Sequence, residues 1–223
     1  MGGGRGRLRP PFLYMATKAD ICNLALSTLG DSATVTAIDS PDGSPQAGHC
    51  ARFYPIALRQ LMEEADWSFL TRRQRLAALS SLDEETYSWK FGFSVPSNCV
   101  RIIKLEAVHF RERRTIDYEL EMDPSNASRL ILCNEESPVL SFVALNDNPS
   151  IYPTYFINAL VPLLASMLVG PLKQADASST ESRNLLALYQ QALSLAKTAD
   201  AFNARHRGRR RERLAPHLRA RIV

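Results

Sequence analysis

The hydrophobic period of the sequence changes twice, and this constrains the fold more than any single motif does. In the segment "SPQAGHCARFYPIALRQLMEEADW", Ala47, Ala51, Tyr54, Leu58, Leu61 and Ala65 recur at steps of four and three, the spacing of one helix face. Ser44 stands where an N-cap belongs and Pro45 at the first turn. The stripe passes Pro55 without losing phase, so the proline is expected to bend or restart one helix rather than end it. Upstream, Thr17 and Asp20 have the spacing of a capping box, Ile21, Leu24, Ala25 and Leu29 form an apolar face, and Gly30 supplies a stop.

The middle of the chain then alternates every second residue. Trp89, Phe91, Phe93 and Val95 alternate with Lys90, Gly92 and Ser94, and Ile116, Tyr118, Leu120 and Met122 alternate with Asp117, Glu119 and Glu121. "CVRIIKLEAV", "RLILC" and "VLSFVAL" read as further strands separated by turn residues, which predicts an antiparallel sheet. Helical spacing returns after Pro149. "YPTYFINALVPLLASMLVG" is apolar nearly all round, the mark of a buried helix. Ser178 or Ser179 is expected to cap a last helix whose stripe is Leu185, Leu188, Ala192, Leu195 and Ala199. Helices, then a sheet, then helices predict an α+β fold, mainly an α-helical bundle with an inserted antiparallel β-region. The expected boundaries are a flexible basic arm over 1–14, an N-terminal helical part over 15–80, the β-region over 81–148, C-terminal helices completing the bundle over 149–204, and an Arg-rich tail over 205–223.

At 223 residues, with 45% apolar and 22% charged side chains, the chain has enough apolar mass for a core without disulfides. Its four cysteines, Cys22, Cys50, Cys99 and Cys133, form no CxxC pair, which favours a reducing compartment. The opening "MGGGRGRLRPPFLY" lacks the apolar stretch of a secretory signal, and Met15 is a second candidate start. Residues 148–172 carry no charge but are interrupted by Pro149, Pro153, Pro162 and Pro171. A core helix fits that pattern better than membrane insertion.

Catalytic chemistry finds no footing in the sequence. His49 and Cys50 are adjacent, but neighbours on a helix point about a hundred degrees apart and do not face each other as base and nucleophile. His109, His206 and His217 have no ligand spacing with a cysteine or carboxylate, and GxSxG, P-loop and GxGxxG motifs are absent. The acidic groups Glu63, Glu64 and Asp66, and Asp83, Glu84 and Glu85, fall in helix-surface or loop contexts where solvated charge is the default. Neither a cofactor nor a metal is expected.

Charge is unevenly placed. The last nineteen residues hold eight arginines and one glutamate, and the first fourteen hold three arginines. With +4 over the whole chain, residues 15–204 are left with −6. The candidate docking tail comprises Arg205, Arg207, Arg209, Arg210, Arg211, Arg213, Leu214, Leu218, Arg219 and Arg221. Arginine at this density waits for a carboxylate- or phosphate-bearing partner. The alternation at Asp117, Glu119 and Glu121 predicts an acidic row on one sheet face, lining a channel or meeting a partner. A nucleic-acid-binding protein that uses the tail is the alternative function; no aromatic is interleaved there for base stacking.

"ICNLALSTLGDS", "HCARFYPIALRQLMEEADWSF", "RLA", "FSVPSNCVRIIKL" and "YQQALSLAKTAD", in that order, resemble the head-to-tail adaptor (connector) family of short-tailed bacteriophages, of the tail tubular protein A type. The resemblance spans about residues 19–200. Phe53, Tyr54 and Pro55, with Trp67 and Phe69, stand where the family has its Phe-Tyr-Pro step and Trp-x-Phe end, and are expected to be the helix kink and the anchor that ties its end into the sheet. The resemblance implies a non-enzymatic virion protein at the head–tail junction, assembled in the host cytoplasm. It implies a homo-oligomeric ring, usually of about twelve copies, joining the portal protein to the tail nozzle protein. It further implies contacts with tail fibres or tailspikes, passage of genomic DNA through the lumen, and a C-terminal extension reaching toward the portal.

Overall fold

The structure is a computed structural model that describes residues 16–39, 43–81, 88–109, 112–122, 129–173 and 175–205. It has the expected α+β architecture, a helical bundle interrupted by a β-region. The bundle comprises α1 (Lys18–Thr28), α2 (Pro45–Glu63), α3 (Thr154–Leu172) and α4 (Ala175–Arg205). Between α2 and α3 run β1 (Thr71–Arg75), β2 (Ala78–Ser81), β3 (Phe91–Ser94), β4 (Cys99–His109), β5 (Glu112–Thr115), β6 (Glu119–Met122), β7 (Arg129–Cys133) and β8 (Val139–Ala144).

Local chemistry starts the helices where the sequence places them. At α1 the Thr17 side chain accepts from the Asp20 backbone N–H, and the Asp20 carboxylate accepts from the Thr17 N–H at 2.9 Å. At α2 the Ser44 hydroxyl accepts from Ala47 N–H at 3.1 Å, with Pro45 in the first turn. The helix runs unbroken through Pro55. Pro55 is exposed, so the Ala51 carbonyl that loses its helical partner lies toward solvent, where water can satisfy it. Pro55 therefore neither ends nor restarts the helix.

Three layers follow from how the strands alternate. The first sheet has the order β1-β8-β4-β5 and the second β2-β3-β7-β6, every pairing antiparallel. Val100 and Val143 of the first sheet point into the bundle core beside Trp67, Phe156 and Leu160. Cys99, Leu105, Leu140, Phe142 and Ala144, from the same strands, point the other way onto Phe93, Ile131 and Cys133 of the second sheet. The first sheet is thus the middle layer, with one apolar face for each neighbour.

Several expectations are corrected. The β-region begins at Thr71, inside the range 15–80 assigned to helix; β1 reads "TRRQR" and is exposed from Arg72 to Arg75, so no apolar alternation marked it. Two sheets stand where one was expected. α4 begins at Ala175, which puts Ser178 and Ser179 inside the helix rather than at its cap. Leu24 of α1 is 50% exposed. On α4 the core positions are Leu185, Tyr189, Leu193 and Ala196, whereas Leu188 and Leu195 are 49% and 72% exposed. α3 is nineteen residues long and apolar enough to cross a membrane by length and composition, but it packs into the bundle through Phe156, Leu160, Leu163, Leu164 and Leu168.

Trp67 is fully buried where bundle and sheet join, so Trp67→Ala is expected to cost about 3–5 kcal/mol in urea unfolding at 25 °C. Pro55→Ala, which restores a helical hydrogen bond on the wet side of α2, is expected to raise the urea midpoint.

Candidate functional site

The segment that joins bundle to sheet is the most densely tied part of the structure. Trp67 Nε1 donates to the Leu61 carbonyl at 2.8 Å, which folds the chain back onto the end of α2. Its ring meets Phe156 of α3 edge-on, with centroids 5.1 Å apart. Phe69 meets Phe156 at 5.1 Å and Tyr152 and Tyr155 at 6.4 Å each. Such pairs add to the burial itself. Thr71 Oγ1 then donates to the Trp67 carbonyl, and Ala144 N–H donates to the Leu70 carbonyl, so the turn delivers β1 to β8. Of the other residues grouped with this anchor, Tyr54 is buried and Phe53 packs against the bundle core from a half-buried position.

Asp200 of α4 completes the junction, and no motif pointed to it. Its carboxylate is buried and accepts from Ser68 N–H, Ser68 Oγ and Tyr155 OH, each at 2.8 Å. Burial, then the bond to Asp200, pushes the Tyr155 phenol up to about 12. A buried carboxylate so bonded is a clamp between α4, α3 and the Trp67–Phe69 turn.

Glu106 is a second buried carboxylate, on the bundle-side face of β4. Lys104 Nζ lies 2.8 Å from Oε1, and Arg113 lies 3.8 Å from Oε2. Burial pushes the carboxyl up, but the Lys104 ammonium, with Arg113 and Arg73, outweighs it and holds the group below its ordinary 4.5.

Of the expected acidic row, Glu119 and Glu121 lie in β6 and Asp117 just before it. The chain leaves the first sheet after Thr115, crosses between the sheets with Ile116 and Tyr118 packed in their shared core, and enters the second sheet at Glu119. Asp117 is exposed and lines an open depression of about 450 Å³ together with Trp89, Arg114 and Asn134. Glu119 accepts from Trp89 Nε1 at 2.8 Å, and Glu121 is exposed. Leu120 and Met122, expected to face inward, are 46% and 70% exposed.

Of the candidate docking tail, Arg205 ends α4. Arg207, Arg209, Arg210, Arg211, Arg213, Leu214, Leu218, Arg219 and Arg221 lie outside the described residues.

The His49-Cys50 pair does not come together as a site. Cys50 is buried beside Cys22 of α1, and this neighbour, with burial, pushes the Cys22 thiol up. His49 is half-buried rather than solvated. Among the described residues, no group of three or more His, Cys, Asp or Glu side chains could hold a metal ion.

What the structure does gather is uncovered apolar surface. Leu24 and Thr28 of α1, Asn158, Val161 and Pro162 of α3, and Leu188 and Ala192 of α4 line one open groove of about 370 Å³. Leu195, two helical turns beyond Leu188, extends the apolar line. α4 thus bears two apolar stripes about one residue's rotation apart: one fills the core, and on the other Leu188 and Leu195 face outward on either side of the half-buried Ala192.

No protein-family model and no curated protein matches the chain. Among solved structures it is similar to a chain of the neck of an empty GTA particle computed with C6 symmetry, at 14% identity over 77% of this chain and 87% of that one, with a TM-score of 0.30. It is also similar to a chain of the neck of a native GTA particle computed with C12 symmetry, at 13% identity over 80% and 92%, with a TM-score of 0.26. At these scores the likeness carries no argument about fold or function.

Asp200→Ala removes the acceptor of three hydrogen bonds and is expected to cost about 2–4 kcal/mol, read from the urea midpoint, with Asp200→Asn costing less. Glu106, with a lowered folded-state pKa, contributes stability that is present above pH 4.5 and lost as pH falls through that lowered value. Glu106→Gln is expected to flatten the acid limb of a stability–pH curve and to lower stability by a constant amount at neutral and alkaline pH.

Proposed function

We propose that the chain is a structural virion protein, a head-to-tail adaptor that forms a ring between portal and tail nozzle and leaves a passage for DNA at its centre. The observation that carries this reading is the second apolar stripe of α4. Leu188 and Leu195, with Leu24, are exposed, while Leu185, Tyr189, Leu193 and Ala196 of α4 fill the bundle core and Ala192 packs against it from a half-buried position. A continuous apolar line left on the outside of a bundle is the mark of a surface covered by another protein. The order of motifs from Ile21 to Asp200 supports an adaptor as the protein that needs such a surface, because ring subunits must bury one face against each neighbour.

In this reading residues 205–223 carry the arginines to an acidic surface of the portal, and Glu119 and Glu121 supply carboxylates for a further surface or the lumen. Carboxylates facing the lumen would repel phosphates and keep DNA from sticking.

The reading is tested by mixing the purified chain with the portal of its own particle and viewing the product by electron microscopy. The expected result is a ring of about twelve copies seated on the portal. Loss of residues 205–223 is expected to abolish seating. Leu195→Glu is expected to abolish the ring while leaving the thermal midpoint within about 2 °C of wild type. Failure to form any ring, together with tight duplex binding that weakens steeply with salt, would establish the nucleic-acid-binding alternative instead.

A further inference from the structure

Among the described residues, the two β-sheets leave free edges of opposite charge on opposite sides of the sandwich. The sheets face each other across one core, and both are connected at their margins. β1 passes directly into β2 through Leu76 and Ala77, so these two strands share one side of the sandwich. β5 passes into β6 through residues 116–118, so those two share the other side. Four strands at about 4.8 Å spacing separate the sides by about 14 Å.

β1 presents Arg72, Arg73 and Arg75, exposed, and among the described residues it pairs only with β8. β6 presents Glu119 and Glu121 on one face and Leu120 and Met122 on the other, all exposed, and it pairs only with β7 among the described residues. A strand exposed on both faces, with a free edge and two uncovered apolar side chains, is normally paired or covered. The segment "TRRQR" fits it. Its guanidinium groups match the carboxylates, and arginine methylenes can lie over Leu120 and Met122.

The geometry points to a head-to-tail contact in which β1 of one copy lies along β6 of the next. This inference rests on the ring reading and deepens it by naming a contact between neighbours. Opposite charges on opposite sides of one subunit give a heterologous contact, the kind that generates rings. Charge also selects the strand. A level alignment would set β1 against β5 of the neighbour, opposing Arg72, Arg73 and Arg75 to Arg113 and Arg114. The diagonal alignment, first sheet against second, opposes arginine to glutamate. The contact also removes two free edges at once.

The test is a charge swap in the full chain, read by sedimentation velocity over a concentration series and by electron microscopy. Arg72→Glu and Glu121→Arg, singly, are expected to raise the concentration for half-assembly at least about fivefold, the size expected when a facing pair turns from attractive to repulsive. The double variant Arg72→Glu with Glu121→Arg is expected to return within about twofold of wild type. The single-variant defects should shrink as salt rises. Rings that form normally in both single variants, or a double variant that stays as defective as the singles, overturn the β1–β6 contact and leave the ring reading intact. A wild-type chain that forms no ring at any concentration overturns the ring reading and this contact with it.

Discussion

Burial of the Trp67 indole between the end of α2 and Phe156 of α3 determines where everything after it goes. The ring leaves no exposed surface, and its one polar atom is bonded to the Leu61 carbonyl, so the turn that carries it has little freedom. Ser68 and Phe69 are then clamped from two further directions, by the Asp200 carboxylate and by the aromatic cluster of Tyr152, Tyr155 and Phe156. The chain can leave this knot only toward β8, which makes β1 the edge of the first sheet. A basic edge strand at a defined place is thus a consequence of an apolar anchor some residues earlier.

The same knot explains how two cores coexist. The first sheet gives alternate residues to the bundle and to the second sheet, so neither core closes without it. Holding that middle layer at one orientation requires a tie that does not slide, and three hydrogen bonds to one buried carboxylate supply it. What remains outside is specific: an apolar stripe on α4, a basic edge at β1 and an acidic, partly apolar edge at β6. In the proposed role these are the faces that neighbours cover.

The elements legible in the sequence were those whose apolar residues end up in a core of this chain. The α2 stripe reads correctly because Tyr54, Leu58 and Leu61 are all buried in the bundle, and β3, β4, β7 and β8 read correctly because they alternate into one core or both. The α4 stripe misleads for the converse reason. Leu188 and Leu195 have helical spacing and apolar side chains, yet they face out, because Leu185, Tyr189, Leu193 and Ala196 already occupy the inward positions. β1 was invisible because an edge strand made of arginines has no periodic apolar signal. Trp67 and Phe69 were recognisable as an anchor. Asp200 was not, since a lone carboxylate on a long helix looks like any solvated charge until the fold brings Ser68 and Tyr155 to it.

In the proposed role, the surfaces this chain leaves uncovered are covered by copies of itself at a head–tail junction. Cryo-electron microscopy of the intact particle tests it most directly. The expected result is a closed ring of this chain between head and tail, with α4 packed against a neighbour along Leu188 and Leu195. A particle in which the chain is absent from the junction, or sits there with the α4 stripe facing solvent, would contradict it.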